Sequence, residues 1–227
     1  MIIELRGVKK EYNDGKNKKI SPLNDINFCV DKGDFVAITG PSGIGKTTLL
    51  NIIGCIDTVT SGQYFLNGKS IENYTEKKKA FVRNKYFGYV LQSDGLIPYR
   101  NVYDNVSVPL MFNKDVKRRE YKEKIEKALT AVNMENYIHR NVNELSGGEK
   151  QRISIARAMV NDPDIILADE PTGSLDVDNK EMIVENLFNL RKNGKTVIIV
   201  THDLDIAARF DLQYTFVPGG ILKRKEN

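Results

Sequence analysis

The stretch Phe35-Val-Ala-Ile-Thr-Gly-Pro-Ser-Gly-Ile-Gly-Lys46-Thr47-Thr48 decides how this chain folds. Its first five residues form an apolar run typical of a buried strand, and an apolar segment with a helical pattern follows Thr48. Between them the sequence fits G-x-x-x-x-G-K-[ST], from Gly40 to Thr47. A strand, a glycine-rich loop and a helix in this order predict a phosphate-binding loop.

Each residue type in this loop has a chemical role in binding phosphate or its metal ion. Gly40, Gly43 and Gly45 lack a Cβ, so the backbone can adopt positive φ and approach a phosphate closely. Successive N–H groups then form an anion-binding nest at a helix start, where the helix dipole also favours negative charge. Lys46 is expected to contact the β- and γ-phosphates, and the Thr47 hydroxyl to bind Mg²⁺. A chance glycine turn is the alternative, and the flanking strand and helix patterns argue against it.

The composition is that of an ordinary globular protein. A length of 227 residues fits one domain with a sizeable core. The net charge of 34 − 30 = +4 is too small to indicate nucleic acid, so no nucleic-acid partner is expected. No stretch approaches the roughly 18–20 apolar residues of a membrane span, so a membrane role must come through a partner. Cys29 and Cys55 are predicted to be buried free thiols in a reducing cytosol.

Strands and helices alternate along the chain. The first third is rich in short strands, and residues 11–15 are predicted to form the turn that ends the first of them. Near-continuous apolar runs at 164–169 and 195–200 predict strands buried on both faces. This order predicts an α/β fold with a mostly parallel sheet.

A mainly helical block at about 91–160 interrupts the strands. Residues 101–112 have a mixed pattern broken by Pro109, whereas 115–132 and 149–160 have amphipathic helical periodicity. The block is therefore predicted to be a helical subdomain inserted into a single domain that spans residues 1–227.

Two further motifs carry chemistry. Ile165-Ile-Leu-Ala-Asp169-Glu170 is an apolar strand followed by acids: Asp169 is placed to hold Mg²⁺ through its water shell, and Glu170 to polarise a water for attack on the γ-phosphate. In Leu145-Ser-Gly-Gly-Glu-Lys-Gln-Arg152, open backbone N–H groups and a hydroxyl again stand at a helix start. A serine N-cap would explain Ser146 but not the whole octet.

These motifs in this order resemble the ATP-binding subunit of ATP-binding-cassette (ABC) transporters over essentially the whole chain. The resemblance adds Gln92 as the glutamine-loop residue, Ser174-Leu-Asp176 as the D-loop and His202 as the switch histidine. It also makes Tyr12 the aromatic residue that stacks on adenine. The implied fold is a P-loop NTPase core with an antiparallel β subdomain and an inserted helical subdomain.

The resemblance also implies site roles, for an enzyme that hydrolyses ATP with Mg²⁺. The catalytic residues would be Glu170, His202 and Lys46. ATP would be contacted by Tyr12, Gly40, Pro41, Ser42, Gly43, Ile44, Gly45, Lys46, Thr47, Thr48, Gln92 and Asp169, and Mg²⁺ by Thr47, Gln92 and Asp169. In this family the signature octet acts in trans, so Ser146, Gly147 and Gly148 would contact the nucleotide of a second ATP-binding subunit, in an ATP-dependent homodimer or with a related chain.

Within the family, residues 49–54, 104–110 and 167–173 resemble the branch for lipoprotein release and for macrolide or antimicrobial-peptide export. The implied function is to power a membrane permease from the cytoplasmic face of the cell membrane, for export or extraction of a peptide, lipoprotein or drug. The permease would dock beside the glutamine loop, on apolar anchors of which about half are expected to be core instead: Leu96, Ile97, Tyr99, Tyr103, Val108, Leu110 and Met111.

Two other functions remain open at this point. A soluble ABC ATPase without a membrane partner, such as an iron–sulfur assembly factor, would carry the same motifs. A catalytically inactive binding module is the third, and the presence of Lys46, Glu170 and His202 argues against it.

Overall fold

A computed structural model describes residues 1–13, 19–92, 95–173 and 175–224. They divide into two compact units: Met1–Ala80 with the described residues from Ile198 onward, and Phe81–Val197. The second unit contains the stretch 91–160 for which the sequence predicts a helical block. The assignment of that block as a subdomain of one 1–227 domain stays a prediction.

Strands and helices alternate along the chain as the sequence predicts. In chain order they are β1 (Ile3–Asn13), β2 (Lys19–Val30), β3 (Phe35–Thr39), α1 (Lys46–Ile53), β4 (Ser61–Leu66), β5 (Lys69–Ser70), α2 (Glu76–Tyr86), β6 (Phe87–Val90), α3 (Val102–Met111), α4 (Tyr121–Thr130), α5 (Gly147–Met159), β7 (Ile165–Asp169), α6 (Val177–Lys192), β8 (Thr196–Val200), α7 (Leu204–Ala207), β9 (Leu212–Val217) and β10 (Ile221–Arg224).

The first unit contains an antiparallel sheet with the strand order β2-β1-β4-β5. Its inner face is apolar, with Ile3, Leu5 and Val8 of β1 buried. In the same unit β3 pairs in parallel with β9, and β9 pairs antiparallel with β10. Every residue of β3 is buried, which its uninterrupted apolar sequence predicts. The phosphate-loop stretch therefore leaves the end of a fully enclosed strand.

The second unit is mainly helical. Its strands β6 and β7 pair in parallel, with Val90 opposite Ala168. Helices α3, α4 and α5 pack on one another and α5 packs on β6. A Cβ atom added to Gly88 of β6 would lie 2.2 Å from the carbonyl oxygen of Ala158. Only glycine allows the strand and the helix to approach this closely.

Some boundaries differ from the sequence expectations. Residues 11–13 do not turn but continue β1, because they pair with β2 and Tyr12 lies opposite Ile20; residues 14 and 15 of the predicted turn lie outside the described residues. Pro109 does not break its segment, since α3 runs through it from Val102 to Met111 although proline cannot donate a backbone hydrogen bond. The N-terminal end of α3 is capped by the Asn101 side chain, which accepts from the Asp104 N–H at 2.7 Å.

The remaining differences concern helix length and burial. The helix predicted at 115–132 is shorter, because α4 spans Tyr121–Thr130 and follows a 3₁₀ turn at Arg118–Glu120. The basic helix α2 was not predicted, since its few apolar residues give little periodicity. Cys55 is buried as expected, but Cys29 is exposed, because it lies on the outer face of β2 between the buried Phe28 and Val30.

Helix α5 begins with a reciprocal cap between Ser146 and Glu149. The Ser146 Oγ accepts from the Glu149 N–H at 3.4 Å, and the Glu149 carboxylate accepts from the Ser146 N–H at 2.8 Å. The Ser146 N–H has the largest effect on the Glu149 carboxyl. Together with further hydrogen bonds it outweighs partial burial, so the pKa of Glu149 lies below its ordinary value. The signature octet thus contains the capping box that stabilises the start of α5.

Glu149→Gln tests this cap through its pH dependence. A group whose pKa is depressed in the folded state stabilises the protein above its unfolded-state pKa, and the stabilisation is lost as pH falls through the folded-state pKa. We expect the variant to melt about 2–4 °C below the parent near pH 7, the equivalent of about 1 kcal/mol. The difference should be smaller at an acidic pH that protonates Glu149 than near pH 7, because the pKa of Glu149 is lowered in the folded state. The exposed Glu185→Gln is the control, and an equal deficit at both pH values would contradict the assignment.

Candidate functional site

The phosphate-loop stretch joins β3 to α1 in the first unit. Gly40, Gly43 and Gly45 have φ values of 146°, 74° and 119°, which side-chain-bearing residues rarely adopt. A Cβ atom on Gly45 would lie 2.5 Å from the Pro22 carbonyl oxygen, whereas one on Gly43 would meet nothing within 4 Å. The end of the loop therefore packs against the backbone of Pro22, whereas its middle is open to a ligand.

The start of α1 has the properties of an anion site. Its N-cap, Gly45, provides no side-chain hydrogen bond to the first turn, and that turn contains no acid. The Lys46 ammonium donates to the carbonyl oxygens of Gly40 at 2.7 Å and Pro41 at 3.0 Å, and the residue is only 7% exposed. The Thr47 side chain is exposed beside it. Backbone donors, a cation and a hydroxyl thus surround one small region.

His202 lies beside the strand from which the loop begins. It follows Thr201, whose N–H donates to the carbonyl oxygen of Ile38 in β3 at 3.0 Å. Thr201 is buried and His202 is exposed. The next residue, Asp203, caps α7 by accepting from the Asp205 and Ile206 N–H groups at 3.2 Å. Both ends of the short turn around His202 are therefore held.

Tyr12 is near the end of β1 and is 41% exposed. Its hydroxyl donates to the Asp57 carboxylate at 2.5 Å. Partial burial and this hydrogen bond raise the pKa of Tyr12, against a smaller opposing effect of a hydrogen bond with Thr48 of the phosphate-loop helix. The phenol therefore stays neutral, and its hydroxyl is held by Asp57, which follows α1.

The second unit brings Gln92, Asp169 and Glu170 together at one edge. Gln92 follows β6 and Asp169 ends β7, and these strands are parallel neighbours. A Cβ atom on Gly173 would lie 3.5 Å from Gln92 Nε2 and 3.5 Å from Glu170 Cβ. An amide and two carboxylates thus occur within a few residues of two adjacent strand ends.

Glu170 has an unusual backbone. Its φ of 47° lies in the left-handed region, and the residue is buried, at 9% exposure. A turn from Glu170 to Gly173 is closed by the Gly173 N–H, which donates to the Glu170 carbonyl oxygen at 3.0 Å. A left-handed conformation costs a side-chain-bearing residue about 1–2 kcal/mol, so this turn is held in place by its surroundings.

The signature residues Ser146, Gly147 and Gly148 lie at the start of α5. Ser146 and Gly147 are exposed, and the Ser146 hydroxyl is 2.9 Å from the Glu149 carboxylate. Gly148 is buried, and a Cβ atom there would lie 2.1 Å from the Asn179 side chain of α6. Of the D-loop, Asp176 caps α6 by accepting from the Asn179 N–H at 2.9 Å, and Ser174 lies outside the described residues.

Helix α5 also holds the chain on both sides of Gln92. Gln151 donates to the Leu91 carbonyl oxygen at 3.3 Å, and Arg157 donates to the Gly95 carbonyl oxygen at 2.6 Å. Gln151 is buried. The signature helix and the glutamine-loop segment are therefore joined directly.

Sequence reasoning missed several residues that contact the site. Glu149 could have been found from the sequence, since Ser146-x-x-Glu149 is the capping-box pattern. No sequence pattern points to Asp57, because the Tyr12 that it contacts is 45 residues away along the chain. Phe112 was not among the predicted docking anchors, although it is exposed together with the predicted Ile97, Tyr99 and Met111. Leu110 is fully buried, as the core alternative required.

The described ranges contain neither a cluster of metal-binding side chains nor a membrane-spanning helix. In them, no three His, Cys, Asp or Glu side chains are grouped so that they could hold a metal ion. No helix in the same ranges has the length and apolar content needed to span a bilayer.

Known proteins match this chain over most of its length. The chain is 43% identical to an uncharacterised ABC transporter ATP-binding protein, YknY of Bacillus subtilis, over 91% of this chain and 89% of that protein. It is 42% identical to the macrolide export ATP-binding/permease protein MacB of Bdellovibrio bacteriovorus, over 90% of this chain but only 31% of that larger protein.

Solved structures agree. A bacterial ABC transporter cassette solved as a dimer superposes with a TM-score of 0.90 and 36% identity, covering 99% of this chain and 98% of that one. The same cassette in a post-hydrolysis state with ADP and phosphate superposes with a TM-score of 0.90 and 35% identity, over the same shares. The family model described as ABC transporter matches residues 23–173. The chain therefore belongs to the ABC transporter family, as an ATP-hydrolysing nucleotide-binding subunit.

Proposed function

We propose that this subunit powers a membrane permease that exports or extracts a peptide, lipoprotein or drug, and that it acts at the cytoplasmic face of the cell membrane. The observation that carries the nucleotide role is the phosphate loop, with three glycines at positive φ, an uncapped helix start and the buried Lys46 ammonium. The direction and cargo rest on the similarity to MacB, whose name describes macrolide export.

In the proposed site the first unit binds ATP. The loop N–H groups and Lys46 bind the phosphates, because aligned backbone donors and an ammonium favour an anion there. Pro41, Ser42, Ile44 and Thr48 complete the loop, and Tyr12 stacks on adenine with its exposed ring. His202 contacts the γ-phosphate and holds the attacking water.

The proposed Mg²⁺ ligands are Thr47, Gln92 and Asp169. A hydroxyl, an amide oxygen and a carboxylate are the hard oxygen ligands that this ion prefers, and the exposed Thr47 and half-buried Asp169 can offer them. Bound Mg²⁺ would neutralise phosphate charge. Glu170, adjacent to Asp169, takes the proton of the attacking water as general base.

The signature residues are proposed to act on a second subunit's nucleotide. The exposed Ser146 and Gly147 are available to a partner, and a related cassette has been solved as a dimer. We infer a homodimer that closes with ATP, since one chain carries one full set of motifs. Gly148 is proposed to contact that nucleotide with them, and its lack of a Cβ also lets α5 pack on α6.

The permease is proposed to dock on apolar side chains that flank α3. Tyr99, which is 83% exposed, and Ile97 precede this helix, and Met111 and Phe112 are at its other end. Large apolar side chains exposed at both ends of α3 favour a protein partner over a soluble ATPase without one.

Removal of the Lys46 charge tests the nucleotide site. We expect Lys46→Ala to weaken ATP binding roughly a hundredfold, because a charge-assisted contact to phosphate is lost and the loop carbonyls lose their donor. Titration calorimetry measures the affinity, with the exposed Lys9→Ala as the matched control. Unchanged ATP affinity in Lys46→Ala would contradict the assignment of this loop as the phosphate-binding site.

Replacement of Glu170 tests the catalytic role. Glu170→Gln keeps the shape of the side chain but removes the basic oxygen, so hydrolysis should fall by about 10²–10⁴-fold while ATP still binds. The closed dimer should then accumulate, which light scattering after size exclusion would detect with ATP and not with ADP. The exposed Glu185→Gln should behave as the parent. Hydrolysis at the parent rate by Glu170→Gln would contradict the role of Glu170 as base.

Co-purification tests the membrane partner. The tagged parent chain, extracted with detergent from its native membranes, should bring a permease with it in mass spectrometry. Met111→Glu should lose most of that permease, because a charge replaces an apolar anchor, while Ile20→Glu, also at an exposed apolar position, should retain it. If the parent brings no membrane protein, the soluble alternative is favoured.

A further inference from the structure

Three side chains of the first unit form a compact charged cluster, which we name the Asp57 clamp: Lys10, Tyr12 and Asp57. One Asp57 oxygen accepts from Lys10 Nζ at 2.5 Å, and the other accepts from the Tyr12 hydroxyl at 2.5 Å. Lys10 and Tyr12 are two residues apart on β1, so their side chains leave the same face of the strand. Asp57 follows α1.

The Lys10 ammonium is in an unusual environment for a lysine. The residue is only 7% exposed, and besides Asp57 its ammonium contacts the Thr58 carbonyl oxygen at 2.8 Å. A buried charge is costly unless it is paired. Partial burial alone would raise the pKa of Asp57, but hydrogen bonds from Lys10, Tyr12 and the Thr58 N–H outweigh it and lower that pKa. The clamp is therefore an ion pair that keeps a charged acceptor beside Tyr12.

The clamp is anchored to the helix that begins at the phosphate loop. The Asp57 N–H donates to the carbonyl oxygen of Asn51 in α1 at 3.1 Å, and the Asp57 carboxylate accepts from the Thr58 N–H at 2.6 Å. Through Asp57, the position of the Tyr12 ring is thus set relative to α1.

The ring keeps a free surface. Lys10 Nζ lies 4.8 Å from the Tyr12 ring centroid, and the residue as a whole remains 41% exposed. A ring that is held at its hydroxyl and still partly exposed can receive a planar ligand without first being ordered.

We propose that Asp57, supported by Lys10, is a positioning residue that holds the Tyr12 ring for stacking on the base of the bound nucleotide. This inference rests on the proposed adenine contact of Tyr12. It predicts an effect on recognition of the base and none on recognition of the phosphates, because the three clamp side chains bond to one another and to Thr58, outside the phosphate loop.

The experiment compares ATP with inorganic tripolyphosphate, which has no base, by titration calorimetry on the full chain. We expect Asp57→Ala and Tyr12→Phe each to weaken ATP binding about fivefold, the scale of one hydrogen bond, and to leave tripolyphosphate affinity unchanged. The double variant should bind ATP as each single variant does, since both changes remove the same interaction. Glu11→Ala, a carboxylate beside Tyr12 on the same strand that pairs with Lys19, is the matched control.

The variants also separate positioning from stability. Asp57→Ala leaves a buried ammonium unpaired and can lower the melting temperature, but Tyr12→Phe keeps the Lys10–Asp57 pair and tests the same hydrogen bond. A parallel loss of ATP and tripolyphosphate affinity would overturn the proposal, because the change would then act on the loop.

Two further outcomes are decisive. If Tyr12→Ala weakens ATP binding while Asp57→Ala and Tyr12→Phe bind it as the parent does, the ring needs no clamp and the proposal is wrong, although the base contact stands. If Tyr12→Ala also binds ATP as the parent does, both the clamp and the base contact are wrong. Failure of the parent itself to bind ATP would instead reject the proposed function.

Discussion

Close approach of the backbone at Gly45 is the constraint on which the first unit depends. Because no side chain separates Gly45 from the Pro22 carbonyl oxygen, the loop end lies directly against β2 and the start of α1 is fixed there. Gly40 is similarly close to Phe216 of β9. The loop is therefore held from two strands, and its middle, at Gly43, is left open for a ligand. The orientation of α1, and so of everything attached to it, follows from these two contacts.

In the second unit, a residue with a side chain adopts the positive φ that glycines adopt in the phosphate loop. Its catalytic candidate, Glu170, adopts a left-handed backbone directly before Pro171 and directly after β7, whose first four residues are apolar. The conformation is unfavourable in isolation, and the turn closed at Gly173 and the buried surroundings maintain it. Asp169 and Glu170 thereby have different environments although they are adjacent, the first half-buried and the second buried. Two neighbouring carboxylates can then serve different purposes.

Local pattern predicted the parts of this protein that depend on local physics. The span of β3, the continuous apolar run of β7 and the glycine requirements of the phosphate loop could all be read from a few adjacent residues. The extension of β1 to Asn13 could not, because it depends on pairing with β2. The contact between Tyr12 and Asp57 could not be predicted either, because it joins residues that are 45 positions apart along the chain. The Ser146 half of the reciprocal cap is predicted by its residue type, and the Glu149 half follows from the capping-box spacing.

The joining of α5 to the chain around Gln92 has a mechanical consequence. A tether at Leu91 and another at Gly95, both from one rigid helix, leave little slack between the signature and the glutamine residue. The close packing of Gly88 on Ala158 also fixes β6 against α5, because the two backbones lie in direct contact there. A displacement of the glutamine segment would therefore act on α5 at its Gln151 and Arg157 contacts, and through this one helix on the signature residues at its start.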